Sequence, residues 1–334
     1  MSRTDQTPTI NMTITGTGSY LPCKVLTSAA IDARMGWQDG TCQSRYGIVA
    51  RHVAAGEETS SLMASKAAHR AMEMAGCRPQ DLDLILGACG VMEQPIPSTA
   101  VLVQEKLGLG RTGIPAYDVN ATCLSFLQAL DVAALHIQCG RARRVLVFSA
   151  DIASVGLDWN HPEAAAIFGD GAAAVVLEAG GTGGILAQDF CTFAHGHDAC
   201  VLAAGGTRVN PARGIAPGED RFRMDGGKAF RVASRHLPLF LARLLRRAGV
   251  TMDKIGCVIP HQASALALRH AVENLRLASD KVIDIFALTG NQIAASIPVA
   301  LDHAVRSGRL RRGNTALLLG TSAGISIGGA MVRF

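Results

Sequence analysis

An α/β fold built on a largely parallel sheet is what this sequence predicts, and three observations carry the prediction. Short apolar runs of strand length, "DLILGAC" (83–89), "RRVLVFSAD" (143–151) and "GCVIP" (256–260), each stand near a stretch with helical spacing, as βαβ units require. The chain has 334 residues, 49% of them hydrophobic and only 18% charged, which is enough to bury a large core as one α/β unit or two fused halves. Its 36 glycines supply tight turns and close backbone approaches.

Taken in order, the first element is a possible strand ahead of "GTGSY" (16–20). Gly-x-Gly invites a dinucleotide reading, but the third glycine of that fingerprint is missing, because Tyr20 and Leu21 follow Ser19. The segment therefore reads as a turn. After "DVNATC" (118–123), Leu124, Leu127, Leu130, Ala134 and Ile137 repeat at spacings of three and four, one face of a helix whose N-terminus holds Cys123. "FGDGAAAVVLEAGG" (168–181) and "NTALLLGTSAGISIGGAMVRF" (314–334) both join a glycine turn to an apolar strand. That echo suggests two related halves, 1–180 and 181–334.

Composition excludes several function classes. Aromatics make up 4% of the chain, so there is no stacking surface for nucleic acid. The net charge of +5 is modest, with arginines clustered in "ARLLRRAG" (242–249) and "RSGRLRRG" (306–313). Such patches are solvated helix faces or a match for an acidic protein or a phosphate-bearing cofactor. No apolar run is long enough for a membrane span, and "MSRTDQTPTINMT" lacks the apolar core of a secretory signal, so a cytoplasmic protein is expected. Nine cysteines without a Cys-x-x-Cys pair read as free thiols. "CTFAHGHDAC" (191–200) gathers Cys191, His195, His197 and Cys200, but their spacing fits no zinc pattern, and no metal is expected.

Three side chains remain that can do chemistry. The unpaired N–H groups at a helix N-terminus favour a thiolate, which makes Cys123 a candidate nucleophile; the plainer reading is a buried structural cysteine. "CVIPHQAS" (257–264) places His261 at the exit of an apolar strand, where a side chain can project into a crevice. "LTGNQIAASIPVAL" (288–301) sets Asn291 before another helical stretch, where the alternative is a simple N-cap.

Jointly, "NATCLSF", "FGDGAAAVVL", "PHQAS", "GNQIAASIPVALDHAV" and the terminal "GGAMVRF" resemble, in order and spacing, the β-ketoacyl-acyl-carrier-protein synthase III enzymes of the thiolase superfamily. The likeness runs from "GTGSYLP" (16–22) to Phe334. It implies a five-layer αβαβα fold of two halves, a homodimer, and an acyl group carried on Cys123. His261 and Asn291 would then hold the enolate of a decarboxylating malonyl group on acyl carrier protein. The same resemblance implies an oxyanion hole from the backbone N–H groups of Cys123 and Ala323, and an acyl pocket involving Leu124, Phe126, Thr321 and Ile325. It implies carrier docking at Arg231 and Arg269, coenzyme A contacts at Arg45 and Trp37, and acyl-coenzyme A or acyl-carrier substrates without a permanently bound cofactor.

The pattern departs from the family in places that bear on substrate. Cys-Ala-Gly-Phe is the common motif, whereas this chain has Cys123-Leu124-Ser125-Phe126, whose larger side chains must reshape something nearby. Thr321, Ile325 and Ile327 replace a glycine-rich, aromatic turn; Thr41 stands where a tryptophan is common, and Leu266 where an arginine is. Rival readings are a papain-like protease, which lacks its flanking motif here, and a degradative thiolase, which needs a second cysteine in the turn at 320–326. Head-to-head condensing enzymes, acyltransferases on the same fold and a non-catalytic acyl-chain or carrier-binding module complete the alternatives.

Overall fold

The computed structural model of the chain describes residues 9–334; the first eight residues of the N-terminal reading lie outside the described part. Two sheets organise the fold. The first runs in the order Met12–Tyr20, Gly171–Ala179, Arg144–Asp151, Leu84–Gly87, Ala116–Asp118. Its first two pairings are antiparallel and its last two parallel. The second runs Gly184–Thr192, Ser326–Arg333, Thr315–Ser322, Cys257–Pro260, antiparallel twice and then parallel. A single parallel bridge from Val258 to Val282 takes the place that Ala116–Asp118 has in the first sheet.

The sheets are thus mixed rather than largely parallel. Ser326–Arg333 follows Thr315–Ser322 through the short turn 323–325, and so short a connection can only return a strand antiparallel. Five layers result. Helix Ser60–Ala75 covers the outer face of the first sheet, helices Ser125–Gln138 and Ser296–Arg306 lie between the sheets, and helix Gly226–Ala248 covers the second.

Each layer contact follows from side-chain size. The outer helix turns Ala64, Ala67, Ala68 and Ala71 inward, and a Cβ at Gly16 or Gly18 would run into the carbonyls of Ala71 and Ala67. "GTGSY" is therefore the end of a strand and not a turn, its glycines letting a helix lie directly on the sheet. Between the sheets, the expected face of Leu124, Leu127, Leu130, Ala134 and Ile137 is buried against Ile297, Ala300, Leu301 and Ala304 of the facing helix and the inner sides of both sheets. This shared central core fixes both helix starts in one place.

The basic segments are largely used inside the molecule. Arg243 and Arg247 pair with Asp189, and Arg306 with Asp302. Arg309 donates to the carbonyls of Asp280 and Val282, and Arg312 to those of Ile14 and Thr15. Most of these contacts tie neighbouring elements around the second sheet together, while those of Arg312 reach the strand Met12–Tyr20.

Candidate active site

Cys123 lies in a single 3-10 turn, Thr122–Leu124, that leads into helix Ser125–Gln138. Thr122 before it has φ 52°, a left-handed value that costs about 1 kcal/mol or more for a β-branched residue. Local hydrogen bonds hold it there. Asn120 Oδ1 accepts from the Thr122 N–H at 2.9 Å, and Ser125 Oγ accepts from the Ala121 N–H at 2.9 Å while donating to the Thr122 carbonyl at 2.7 Å. What Ser125 shapes nearby is thus the turn itself, which its hydroxyl closes. Asp118 accepts from the N–H groups of Thr99 and Ala100, each at 2.8 Å, capping helix Thr99–Lys106 and anchoring the approach to the turn.

The thiol is not the ready thiolate expected of a helix N-terminus. Burial pushes Cys123 up to about 12, and the charges of Asp151 and Cys200 add to the effect. The backbone N–H groups of Ala323 and of Cys123 itself pull the other way, but desolvation outweighs them. The resting group is a thiol, and both N–H groups expected of an oxyanion hole converge on its sulfur.

His261 follows the buried strand Cys257–Pro260 and is anchored by its N–H on the Leu319 carbonyl at 2.8 Å. Burial pushes its imidazole down to about 4, so the ring is neutral at pH 7, and its buried Nδ1 has no partner among the described residues. Asn291 is held at both ends of its amide: Oδ1 accepts from the Ile293 N–H at 2.9 Å and Nδ2 donates to the Ala263 carbonyl at 3.2 Å. That fixes the amide's orientation and leaves its second N–H without a protein acceptor among the described residues.

Packing brings the three elements together. A Cβ placed on Gly320 would sit 3.0 Å from His261 Cβ, 3.1 Å from Leu124 Cδ2 and 3.3 Å from Ile297 Cδ1, so histidine, nucleophile turn and the helix after Asn291 meet over one glycine. Gly90 plays the same part between the Thr122 carbonyl and the Ile293 side chain. The bulk of Leu124 is accommodated over Gly320 and Gly328. Phe126 is wholly buried in the central core, and Thr321 is half-buried near the end of its strand. Ile325 lies against Gly196 and accepts the Phe193 N–H at 2.7 Å through its carbonyl.

Beside Phe193 opens a cleft of about 440 Å³ lined by His195, Arg231, Arg235 and His236, with Phe193 stacked on His236 at 3.8 Å. Arg231 belongs to this cleft, whereas Arg269 is exposed on helix Ala265–Asn274. Arg45 is exposed with its guanidinium 5.4 Å from the Tyr46 ring, and Trp37 stacks on that same ring at 5.6 Å. Among the described residues no three His, Cys, Asp or Glu side chains gather in metal-binding fashion. Sequence reasoning missed Asp151, Gly320 and the role of Ser125. Only Asp151 left a signal, as an acid ending an otherwise apolar run, where an unpaired charge is expensive to bury.

Comparison with known proteins follows the same lines. Models of the 3-oxoacyl-[acyl-carrier-protein] synthase III family match residues 117–196 and, for its C-terminal part, 245–334. The chain is 37% identical to a β-ketoacyl-[acyl-carrier-protein] synthase III of Neisseria meningitidis serogroup B, covering 96% of this chain and 98% of that protein. It is 37% identical to one of Methylococcus capsulatus with the same coverage. The crystal structure of a 3-oxoacyl-[acyl-carrier-protein] synthase III from Aquifex aeolicus superposes with a TM-score of 0.87 at 33% identity, over 98% of this chain and 100% of that one. With its layered fold, its cysteine turn and these likenesses along nearly its whole length, the chain belongs to the β-ketoacyl-[acyl-carrier-protein] synthase III family of thiolase-fold condensing enzymes.

Proposed function

We propose that the protein joins an acyl thioester, on coenzyme A or acyl carrier protein, to malonyl-acyl carrier protein by decarboxylative Claisen condensation, in fatty-acid or polyketide-type biosynthesis. One observation carries this reading: a thiol whose sulfur meets two backbone N–H groups is packed through Gly320 and Gly90 against a neutral imidazole and an oriented carboxamide. In the first step the Cys123 sulfur attacks the acyl carbonyl. The displaced electron pair rests on oxygen held by the Cys123 and Ala323 N–H groups, and collapse expels the donor's sulfur, which leaves with the thiol's proton. In the second, the malonyl group loses carbon dioxide and the electrons of the broken bond form an enolate. Its oxygen is held by the free Asn291 N–H and by the neutral His261 ring. The enolate carbon then attacks the acyl-cysteine, forming the new carbon–carbon bond and expelling the Cys123 sulfur as a thiolate, which takes a proton from solvent to restore the thiol.

A neutral histidine suits this role because it donates a hydrogen bond without gaining a proton it must later lose. Leu124, Phe126, Thr321 and Ile325 are proposed to shape the acyl pocket, Arg45 and Trp37 to border the coenzyme A path, and Arg231 and Arg269 to meet the acidic carrier. The two halves meet near residue 180, a division supported by the repeated strand order of the two sheets. A homodimer formed beside the open edge of Ala116–Asp118 accords with the exposure of Ile96, 86%, on the loop that leads into Thr99–Lys106, the helix packed on that strand. We place the protein in the cytoplasm; no helix among the described residues is long and apolar enough to cross a membrane.

The test is to incubate the protein with a panel of acyl-coenzyme A and acyl-carrier thioesters, weigh it intact, and then add malonyl-carrier. An acyl adduct confined to Cys123, consumed as β-ketoacyl product appears, is expected; C123A should form no adduct yet still release carbon dioxide from malonyl-carrier. An adduct on C123A, or none on the wild type with any thioester, would overturn the assignment.

A further inference from the structure

Asp151 is used by none of these steps, yet it is wholly buried at the end of strand Arg144–Asp151 and, among the described residues, pairs with no cation. Its Oδ1 accepts the N–H groups of Gly90 and Val91, each at 2.8 Å, and its Oδ2 the N–H of Ala295 at 3.1 Å, with the Ala294 N–H also directed at the carboxylate. Those donors come from different places. Gly90 packs on the Thr122 carbonyl, one residue before the nucleophile, while Ala294 and Ala295 begin the helix that follows Asn291. One carboxylate therefore joins the turn that carries Cys123 to the turn that carries Asn291, and the partial positive charge of the helix start at 296 is what lets it stay buried.

Resting on the condensing reaction proposed above, we propose that Asp151 is a positioning residue that sets the distance between the acyl-cysteine and the enolate-holding amide. A condensation needs both half-sites in register at once, whereas acylation needs only the first and decarboxylation only the second. A displacement of about 1 Å between reacting groups costs on the order of 10²-fold in rate. Loss of the clamp should consequently fall on bond formation and spare the half-reactions. Burial also raises the acid of Asp151 to about 7, and the thiols of Cys89 and Cys123 are the titratable groups that face it.

Asp151→Asn keeps the size but offers one acceptor where the carboxylate has two, so one set of N–H donors is left facing an amide N–H. Per folded molecule, D151N is expected to acylate Cys123 and to decarboxylate malonyl-carrier within a few-fold of wild type, while condensation falls by about 10²-fold and uncoupled carbon dioxide release rises. Parallel losses in all three assays, or unimpaired condensation, would overturn the proposal. A second variant reaches the same joint without touching the acid: a Cβ at Gly90 would press into the Ile293 side chain. Gly90→Ala should show the same split, and adding Ile293→Ala should restore condensation; absence of that rescue counts against the clamp. If the wild type itself forms neither adduct nor product, the fault lies with the function proposed above and not with Asp151.

Discussion

Residues 120–126 and 291–297 are the same backbone device used for different ends. Asn120 Oδ1 accepts from the N–H two residues on at 2.9 Å, and so does Asn291 Oδ1. Thr122 and Ile293 share φ 52°. Ser125 Oγ accepts from Ala121 N–H at 2.9 Å and Ser296 Oγ from Gln292 N–H at 3.1 Å, and each serine starts a helix between the sheets. The position after the strained residue is Cys123 in one copy and Ala294 in the other.

The strands beside them continue the correspondence. Ala88 leaves its strand with its N–H on the Phe148 carbonyl at 2.7 Å, as His261 does on Leu319 at 2.8 Å. One residue further along those carbonyl strands, Ser149 faces Ala88 with a 2.6 Å hydrogen bond to its carbonyl, whereas Gly320 makes room for His261. Two residues beyond, Asp151 of the first sheet stands where the second sheet has Ser322. Ala294 thus stands opposite Cys123 and Ala88 opposite His261, while both turns keep an asparagine, Asn120 in one and Asn291 in the other.

Making the histidine position like its twin breaks the comparison most severely. His261→Ala should leave acylation of Cys123 intact but lower malonyl decarboxylation, measured as carbon dioxide release, by about 10²–10³-fold. The same variant carries a stability signature. Because burial depresses the imidazole from 6.5 to about 4, the unfolded chain binds the proton first as pH falls, so the folded state loses stability between those values. At 1.36 kcal/mol per pH unit the loss is about 3 kcal/mol, and denaturant titrations should find it in the wild type relative to H261A. No difference between the two pH profiles would mean that the ring is not held neutral by burial.

Gly320→Ser, which copies Ser149 into the second sheet, is a smaller break. The new Cβ would lie 3.0–3.3 Å from His261, Leu124 and Ile297, atoms that are themselves fully packed. Overpacking of this kind costs about 1–3 kcal/mol. A lowered melting temperature with decarboxylation impaired more than acylation is expected. G320S in the H261A background should keep most of that cost, since alanine retains the Cβ that the new side chain meets and Leu124 and Ile297 are unchanged.

What could be read from the chain, and what could not, divides along the same joint. Cys123, His261 and Asn291 each have a plain structural reading when taken singly, and it was their joint order with the flanking motifs, as a family resemblance, that pointed to the chemistry. The layers followed from the face of Leu124, Leu127, Leu130, Ala134 and Ile137. Hidden in the sequence were relations between distant residues: Gly320 is one glycine among 36 until His261 is placed against it. Gly16 and Gly18 looked like a turn because their reason, the carbonyls of Ala67 and Ala71, lies some 50 residues away on another element. The thiol's reluctance to ionise was equally out of reach, since a helix N-terminus is local but desolvation depends on everything packed around it.

The smallest expected effect sharpens the comparison from the other side. Ala294→Cys in a C123A background puts a thiol at the matching point of the second turn, after the same strained residue and before the same serine. Similar backbone would predict a second nucleophile, but two differences argue against it. The N–H groups of Ala294 and Ala295 are taken by the Asp151 carboxylate, whereas those of Cys123 and Ala323 face the Cys123 sulfur, where the proposed reaction uses them to hold the substrate oxygen. Ala88 stands where a histidine would have to be. Intact mass after incubation with acyl thioester should therefore show no adduct, and carbon dioxide release should stay near that of C123A alone. An adduct on the introduced thiol would mean that the turn by itself suffices for acylation, and that the asymmetry of Asp151 and His261 serves only the second half of the reaction.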